Sequence, residues 1–208
     1  MFKGTPELIA QRREEIMKAC EQLYRSMSFR EITLKEIGNI TSFSRPTIYN
    51  YFQTKEEIFL ALFEREYVLW TEELLSLSGE EGITDRNTLA EKIAESLEKR
   101  KLLLKLLSVN LYDMEENSRM ERLVSFKTAY GRSREAMCGL IRAAYPELSE
   151  DEIMTFVFTF FQFMHGVYPY AFSTPKQIEA MDAVGIPHPE TTIGEIVKSG
   201  LLRMLPCK

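Results

Sequence analysis

The sequence predicts an all-α fold, and three features of it say so. Glycine and proline are scarce, 10 and 8 in 208 residues, while Leu, Glu, Lys, Ala and Met, which lose little rotamer freedom in a helix, are common. Apolar residues recur at three- and four-residue spacing rather than in alternation. A capping box pairs Ser or Thr with Glu or Gln three positions on, satisfying two orphan backbone N–H groups at a helix start. It occurs at Thr33/Glu36, Thr54/Glu57, Ser118/Glu121, Ser149/Glu152, Thr174/Gln177 and Thr192/Glu195. About nine helices are expected.

The first runs from Pro6, where a missing N–H costs nothing, to Met27, with Ile9, Ile16, Ala19, Cys20, Leu23, Tyr24 and Met27 on one stripe. Two short helices follow, Leu34 to Ile40 and Arg45 to Tyr51, then a long one from Lys55 to Leu75 carrying Ile58, Phe59, Leu62, Phe63 and Trp70. Ser78 to Gly82 reads as a loop. Two helices cover Thr88 to Val109 with a break near Arg100, and Asn110 to Asn117 reads as a polar connection. Helices from Arg119 to Ala144 and from Glu150 to about Tyr168 come next, the latter disturbed by Pro169. A Pro-containing excursion with Pro175, Pro187 and Pro189 precedes a last helix, Ile193 to Met204.

Composition narrows the class. The 45% hydrophobic and 27% charged content suits a globular chain rather than a disordered one. The net charge of −5 is uneven: residues 1–55 hold nine basic and six acidic residues, +3, which leaves −8 for the remainder. A weakly basic head on an acidic body suits a protein that offers one end to phosphate. Cys20, Cys138 and Cys207 are odd in number and far apart, with neither a disulfide framework nor metal-ligand spacing. Charges at Lys3, Glu7, Arg12 and Arg13 replace the apolar run of a signal peptide, and the most apolar stretch, Phe156 to Met164, is too short for a membrane helix. The expectation is a soluble, cytoplasmic protein that touches no membrane.

The informative stretch is Thr33 to Lys55, TLKEIGNITSFSRPTIYNYFQTK. Two short helices joined by a few residues have helix-turn-helix proportions, in which the second helix enters the major groove and the first braces it. Ile48 and Phe52, four apart, can both point inward, which puts Arg45, Thr47, Tyr49 and Asn50 on other faces. Arg45 offers a fork to guanine, Asn50 can read adenine, and Thr47 can meet a thymine methyl. Hydroxyls of Ser44, Thr47 and Tyr49 can reach phosphate oxygens.

These residues resemble the DNA-binding signature of the TetR family. Thr33, Ile37, Arg45, Thr47, Ile48, Tyr49, Tyr51, Phe52 and Lys55 are in register, and Arg12-Arg13-Glu14-Glu15-Ile16, Leu23-Tyr24 and Phe29-Arg30-Glu31-Ile32-Thr33 resemble the approach to it. The resemblance covers about residues 9–63. It implies an N-terminal three-helix helix-turn-helix DNA-binding domain, residues 1–54, followed by a helical effector-binding and dimerisation domain, residues 55–208. It implies phosphate contacts by Thr33, Tyr49 and Lys55, and a groove face made of Arg45, Pro46, Thr47 and Asn50. Two positions depart from the pattern: Thr41-Ser42 stands where Ala-Gly is usual, and Ser28 where Gly commonly precedes Phe29. A Ser in a left-handed turn costs about 1 kcal/mol relative to Gly, so a reshaped turn is expected.

For the body the resemblance implies a homodimer and a small-molecule effector. The helix from Glu150 is apolar on more than one side and needs two partners. Phe158 and Phe161, with Ile193, Val197, Leu201 and Leu205 on the last helix, are the expected dimer contacts. The candidate effector pocket takes the large and adaptable residues: Trp70, Leu106, Tyr112, Phe126, Tyr130, Met137, Phe160, Met164, His165 and Tyr168. Each is also suited to ordinary core. His165 is open between orienting a ligand carboxylate and being a satisfied core or interface histidine. The Phe, Met and Tyr content points to a lipophilic or aromatic effector.

The expected function is a DNA-binding transcriptional regulator, a repressor on a palindromic operator. The alternative is a helical ligand-binding or interaction module with an impaired DNA-binding head, for which the Thr41-Ser42 turn would be the cause. No metal site, cofactor or catalytic constellation is expected: the two histidines are dispersed, and no nucleophile elbow, Gly-rich phosphate loop or H-E-x-x-H is present.

Overall fold

The computed structural model describes residues 5–79, 85–109 and 111–206. Among the described residues there are eleven helices and no strand: α1 (Pro6–Tyr24), α2 (Leu34–Asn39), α3 (Arg45–Ile48), α4 (Lys55–Ser78), α5 (Arg86–Lys99), α6 (Lys101–Leu107), α7 (Leu111–Glu116), α8 (Met120–Ala144), α9 (Glu150–Ala171), α10 (Pro175–Ala183) and α11 (Ile193–Met204). The two beyond the expected nine are α7, where a polar connection was read, and α10, inside the Pro-containing excursion. Neither has an apolar stripe to announce it. Met114 is the buried residue of α7, and α10 has none. Part of the loop read at Ser78 to Gly82, and Cys207, lie outside the described residues.

The helix starts follow their chemistry. Ser149 with Glu152, and Thr192 with Glu195, form complete capping boxes, and Thr174 Oγ1 accepts the Gln177 N–H. Thr54 accepts the Glu57 N–H at 3.2 Å, but the Glu57 carboxylate turns elsewhere. Ser118 does not cap α8. Its hydroxyl donates back to the Met114 carbonyl at 2.7 Å, and α8 starts at Met120. Pro169 lies in the last turn of α9, which continues to Ala171 because few downstream bonds remain to be broken there.

Two compact units emerge, one made of the described residues within Met1–Arg65 and Val109–Ala129, the other of those within Glu66–Ser108 and Tyr130–Lys208. The division falls inside α4 and α8. In the first unit α1, α2 and α3 enclose Ile16, Cys20, Ile37, Ile48 and Phe52, all fully buried. Tyr24 and Phe29 meet the Phe59 ring edge-on, at 5.1 and 4.7 Å between centroids. Arg65 joins α4 to α1 through Glu21 at 2.5 Å and Glu14 at 3.6 Å. Burial pushes the Cys20 thiol up, so it behaves as a small apolar side chain rather than a nucleophile.

In the second unit α11 lies against α5 and α9, and α6 against α9. Trp70, Tyr130 and Phe161 form a ring cluster, with Phe161 5.5 Å from Trp70 and 5.6 Å from Tyr130. The indole N–H of Trp70 donates to Ser96 Oγ at 3.1 Å, which answers the polar cost of burying it. A Cβ on Gly200 would stand 2.5 Å from the Phe163 ring, so a larger residue there would have to push that half-buried ring aside.

Candidate nucleic-acid interface

The helix-turn-helix is organised by two anchors. Ile48 and Phe52 are 0% exposed, and between and before them Ser44, Pro46, Tyr49 and Asn50 stand exposed, with Thr47 half-buried. The Arg45 backbone opens α3, while its side chain lies outside what the structure describes. The α-helix ends at Ile48, shorter than the Arg45 to Tyr51 expected, but Tyr51 and Phe52 N–H still bond the Ile48 carbonyl at 2.8 and 3.0 Å. Proline in the first turn loses no intrahelical bond, and the Ser44 and Thr47 hydroxyls lie 3.2 Å apart.

The turn before α3 is not left-handed. No described residue other than Gly185 has a positive φ, so the turn at Thr41-Ser42 is reshaped without left-handed backbone. Side chains close the turn instead. Thr41 Oγ1 lies 3.2 Å from the Gly38 carbonyl and 3.1 Å from that of Phe43, and Ser42 N–H donates to Glu15 Oε1 at 2.5 Å. A hydroxyl and a carboxylate do what a glycine would do through its backbone freedom.

Thr33 caps α2 by accepting the Lys35 and Glu36 N–H groups and sits exposed, and a hydroxyl that accepts can still donate. Lys55 is half-buried, with Nζ donating to the Phe29 carbonyl at 2.8 Å and lying 4.3 Å from the Phe29 ring centroid. An ammonium has three protons, so this bond does not use it up.

Sequence reasoning missed what holds the exit of α3. Glu57, 0% exposed, receives Arg119 Nε at 2.6 Å and Nη2 at 2.9 Å, the Gln53 N–H at 2.8 Å and the Arg119 N–H at 3.2 Å. Burial raises its carboxyl, but the Arg119 guanidinium and the two backbone donors outweigh that and hold it below the usual range. Arg13 lies 4.9 Å from the Phe52 ring and Arg122 5.7 Å. Burial lowers the Arg13 guanidinium, with Arg122 adding to the effect. No local pattern marks Arg119 or Arg122, because their partners lie 62 and 71 residues away.

Residues 16–62 match the family model for bacterial regulatory proteins of the tetR family, and residues 64–205 match that for the tetracyclin repressor-like C-terminal domain. The chain belongs to the TetR family. Among solved structures, a TetR/AcrR-family transcriptional regulator from Thermobifida fusca YX-ER1 is similar at 18% identity, with a TM-score of 0.61 over 93% of this chain and 96% of that one. The fatty acid degradation regulator FadR from Bacillus halodurans gives 14% and 0.62, over 98% and 96%. Thermus thermophilus FadR, a TetR-family transcriptional repressor solved with lauroyl-CoA, gives 22% and 0.57, over 95% and 97%. At such identities the likeness is one of fold. Comparison with curated proteins finds no match.

In this TetR-family chain the ten pocket candidates do not form one set. Trp70, Leu106, Met137, Phe160 and Met164 are buried in the second unit, with Tyr130 and Tyr168 half-buried there. Tyr112 and Phe126 belong to the first unit, Tyr112 at 79% exposure and Phe126 packed 5.4 Å from Phe63. His165 Nδ1 lies 3.0 Å from the Leu107 carbonyl, which makes that nitrogen the donor and His165 a satisfied histidine. A surface depression of about 520 Å³ is lined by Glu195, Lys198, Ser199, Leu202 and Arg203 of α11 and includes none of the candidates. Of the expected dimer contacts, Phe158 is 58% exposed, while Phe161, Ile193, Val197, Leu201 and Leu205 are buried in their own unit. The α11 seam meets α5 and α9 of the same chain, while Ile196 and Leu202 on the same helix stay half-buried. Among the described residues no helix is long and apolar enough to cross a membrane, and no cluster of His, Cys, Asp or Glu is placed to hold a metal.

Proposed function

We propose that this TetR-family chain is a transcriptional repressor that binds a palindromic operator as a homodimer and is released by a lipophilic or aromatic effector. What supports the reading above all is the burial pattern of residues 44–52, in which two apolar anchors turn Pro46, Tyr49 and Asn50 outward. In the complex Pro46, Thr47, Asn50 and Arg45 face the groove, and Thr33, Ser44, Tyr49 and Lys55 hold phosphates. One stub of helix reads few base pairs, at about 1–3 kcal/mol each. Two copies on a palindrome add their contacts and bring discrimination into a useful range.

The dimer surface includes the outer faces of α9, where Phe158 and Met154 stand exposed at 58% and 48%, and of α11, where Ile196 and Leu202 are half-buried. The effector occupies the second unit. A neighbour solved with lauroyl-CoA makes acyl-CoA thioesters the first ligands to try here. Release follows if the effector binds better to a dimer whose heads are wrongly spaced, to the extent of that differential affinity. The setting is the cytoplasm, where the free buried thiols of Cys20 and Cys138 stay reduced.

The test is a titration of the duplex upstream of the protein's own gene, followed by fluorescence anisotropy over a range of salt. Affinity should fall steeply with salt as phosphate counterions are exchanged, and a footprint should show two symmetric half-sites. Arg45→Ala should relax base preference at one position per half-site, and Lys55→Ala should weaken all sequences evenly. A protein that ignores every duplex at low ionic strength refutes the reading.

A further inference from the structure

The recognition helix α3 spans four residues, Arg45–Ile48. A stub of one turn, pinned by one buried side chain, can rock about that pin unless its exit is held. Side chains from α1, α4, the α7–α8 turn and the start of α8 hold that exit. Arg122 Nη2 donates to the Tyr51 carbonyl at 3.4 Å, and Arg12 Nη1 donates to the Tyr51 hydroxyl at 3.1 Å. Thr54 Oγ1 donates to the Asn117 carbonyl at 2.9 Å. Glu57 is the central link. One oxygen takes the Gln53 N–H, and the two together take the Arg119 fork at 2.6 and 2.9 Å. A bidentate guanidinium–carboxylate pair fixes angle as well as distance.

The turn that supplies these groups is itself stiff. Asn117 Nδ2 donates to the Asp113 carbonyl at 2.8 Å, Ser118 Oγ to that of Met114 at 2.7 Å, and Lys127 pairs with Glu115 at 2.5 Å. Met114 is buried beneath it.

We propose that the α7–α8 turn is the positioning element of the recognition helix, with Arg119 and Arg122 setting, through Glu57 and Tyr51, the angle at which α3 meets a duplex. The inference rests on the DNA-binding reading above. Base-edge contacts demand placement to a fraction of an ångström, whereas phosphate attraction tolerates a tilted helix. Loosening the clamp therefore costs sequence discrimination before it costs binding.

The experiment selects an operator from random duplexes with the wild-type protein, then measures Kd for that operator and for a scrambled duplex at one salt concentration. In Arg122→Gln and Glu57→Gln, operator affinity should fall about tenfold, the worth of one lost base contact, with scrambled-duplex affinity nearly unchanged. Arg119→Lys keeps the charge but not the fork, so it should restore thermal stability relative to Arg119→Gln without restoring the operator-to-scrambled ratio. Amide exchange in the DNA-free variants should quicken at residues 49–54 and not in α9. A ratio held at the wild-type value in folded Arg122→Gln and Arg119→Lys overturns the proposal and leaves DNA binding intact. A wild type that selects no duplex overturns both.

Discussion

The two units of this TetR-family chain hold themselves together differently. In the first, separate stretches are tied by part-buried ion pairs, Arg65 to Glu21 and Arg119 to the fully buried Glu57, and by the Arg13 and Arg122 guanidinium groups set over the Phe52 ring. In the second, Arg100 makes a comparable tie to Glu73 at 2.9 Å and Glu66 at 3.8 Å, but most of the interior is rings and aliphatic side chains in direct contact. Trp70, Tyr130, Phe160 and Phe161 form a connected cluster, and polar atoms inside it are satisfied in pairs such as Thr71 with Ser133 at 2.6 Å. A small unit with one outward-facing helix has little apolar area to bury, and fixed-angle charge pairs supply orientation where packing is thin. A larger unit excludes water mainly by packing density.

The sharpest way to break this contrast is a cavity in the second unit. Phe160→Ala should destabilise by about 3–5 kcal/mol, read by urea unfolding followed through the single tryptophan, Trp70, which lies in the same unit. A loss under about 1 kcal/mol would mean that the cluster is not the core described here.

Next in size is the buried pair of the first unit. Glu57→Gln deprives Arg119 of its bidentate partner and leaves it the exposed Glu121 at 3.0 Å, so it should cost about 2 kcal/mol, the worth of charged hydrogen bonds at a partly exposed site. The pH dependence has a definite sign. The folded-state Glu57 carboxyl lies below its ordinary value, so its contribution is fully present above the unfolded value, about pH 4.3, and is lost as pH falls through the folded one. An acid titration of stability should therefore be shallower in Glu57→Gln than in the wild type. Identical curves would assign the acid sensitivity elsewhere.

The smallest effect compares like with like. Thr33→Ala and Ser149→Ala each delete a helix cap and should each cost about 1 kcal/mol. Only Thr33→Ala should also weaken DNA binding, because Thr33 alone of the two is proposed to hold a phosphate. Equal loss of duplex affinity in both variants would reduce Thr33 to a structural cap.

Much of the fold was legible because its signals span three or four residues. The complete boxes at Ser149/Glu152 and Thr192/Glu195 are bonds within one helical turn, and the four-residue spacing of Ile48 and Phe52 is the period of the helix itself. Where reading failed, competition or shortness was the cause. Ser118 had a nearer acceptor in Met114, and Glu57 left its cap role for Arg119. With six residues and a single buried one, α7 shows no periodicity. The turn at Thr41-Ser42 is reshaped as its residues imply, but the means, a Thr hydroxyl and the distant Glu15 in place of positive φ, lay beyond local reading.

By itself, then, the sequence determined the helical class, most helix starts, and which residues of the recognition segment point inward. Tertiary structure decided the partners: that α7 and the start of α8 join the DNA-binding unit, that α5 and α9 fill the α11 seam, and that Phe158 rather than Phe161 faces out. The physical reason is range. Periodicity reports that a stripe is buried but not against what, and the bonds that answer the question, Glu57 to Arg119 across 62 residues and Gly194 to Glu98 across 96, exist only once the chain has folded.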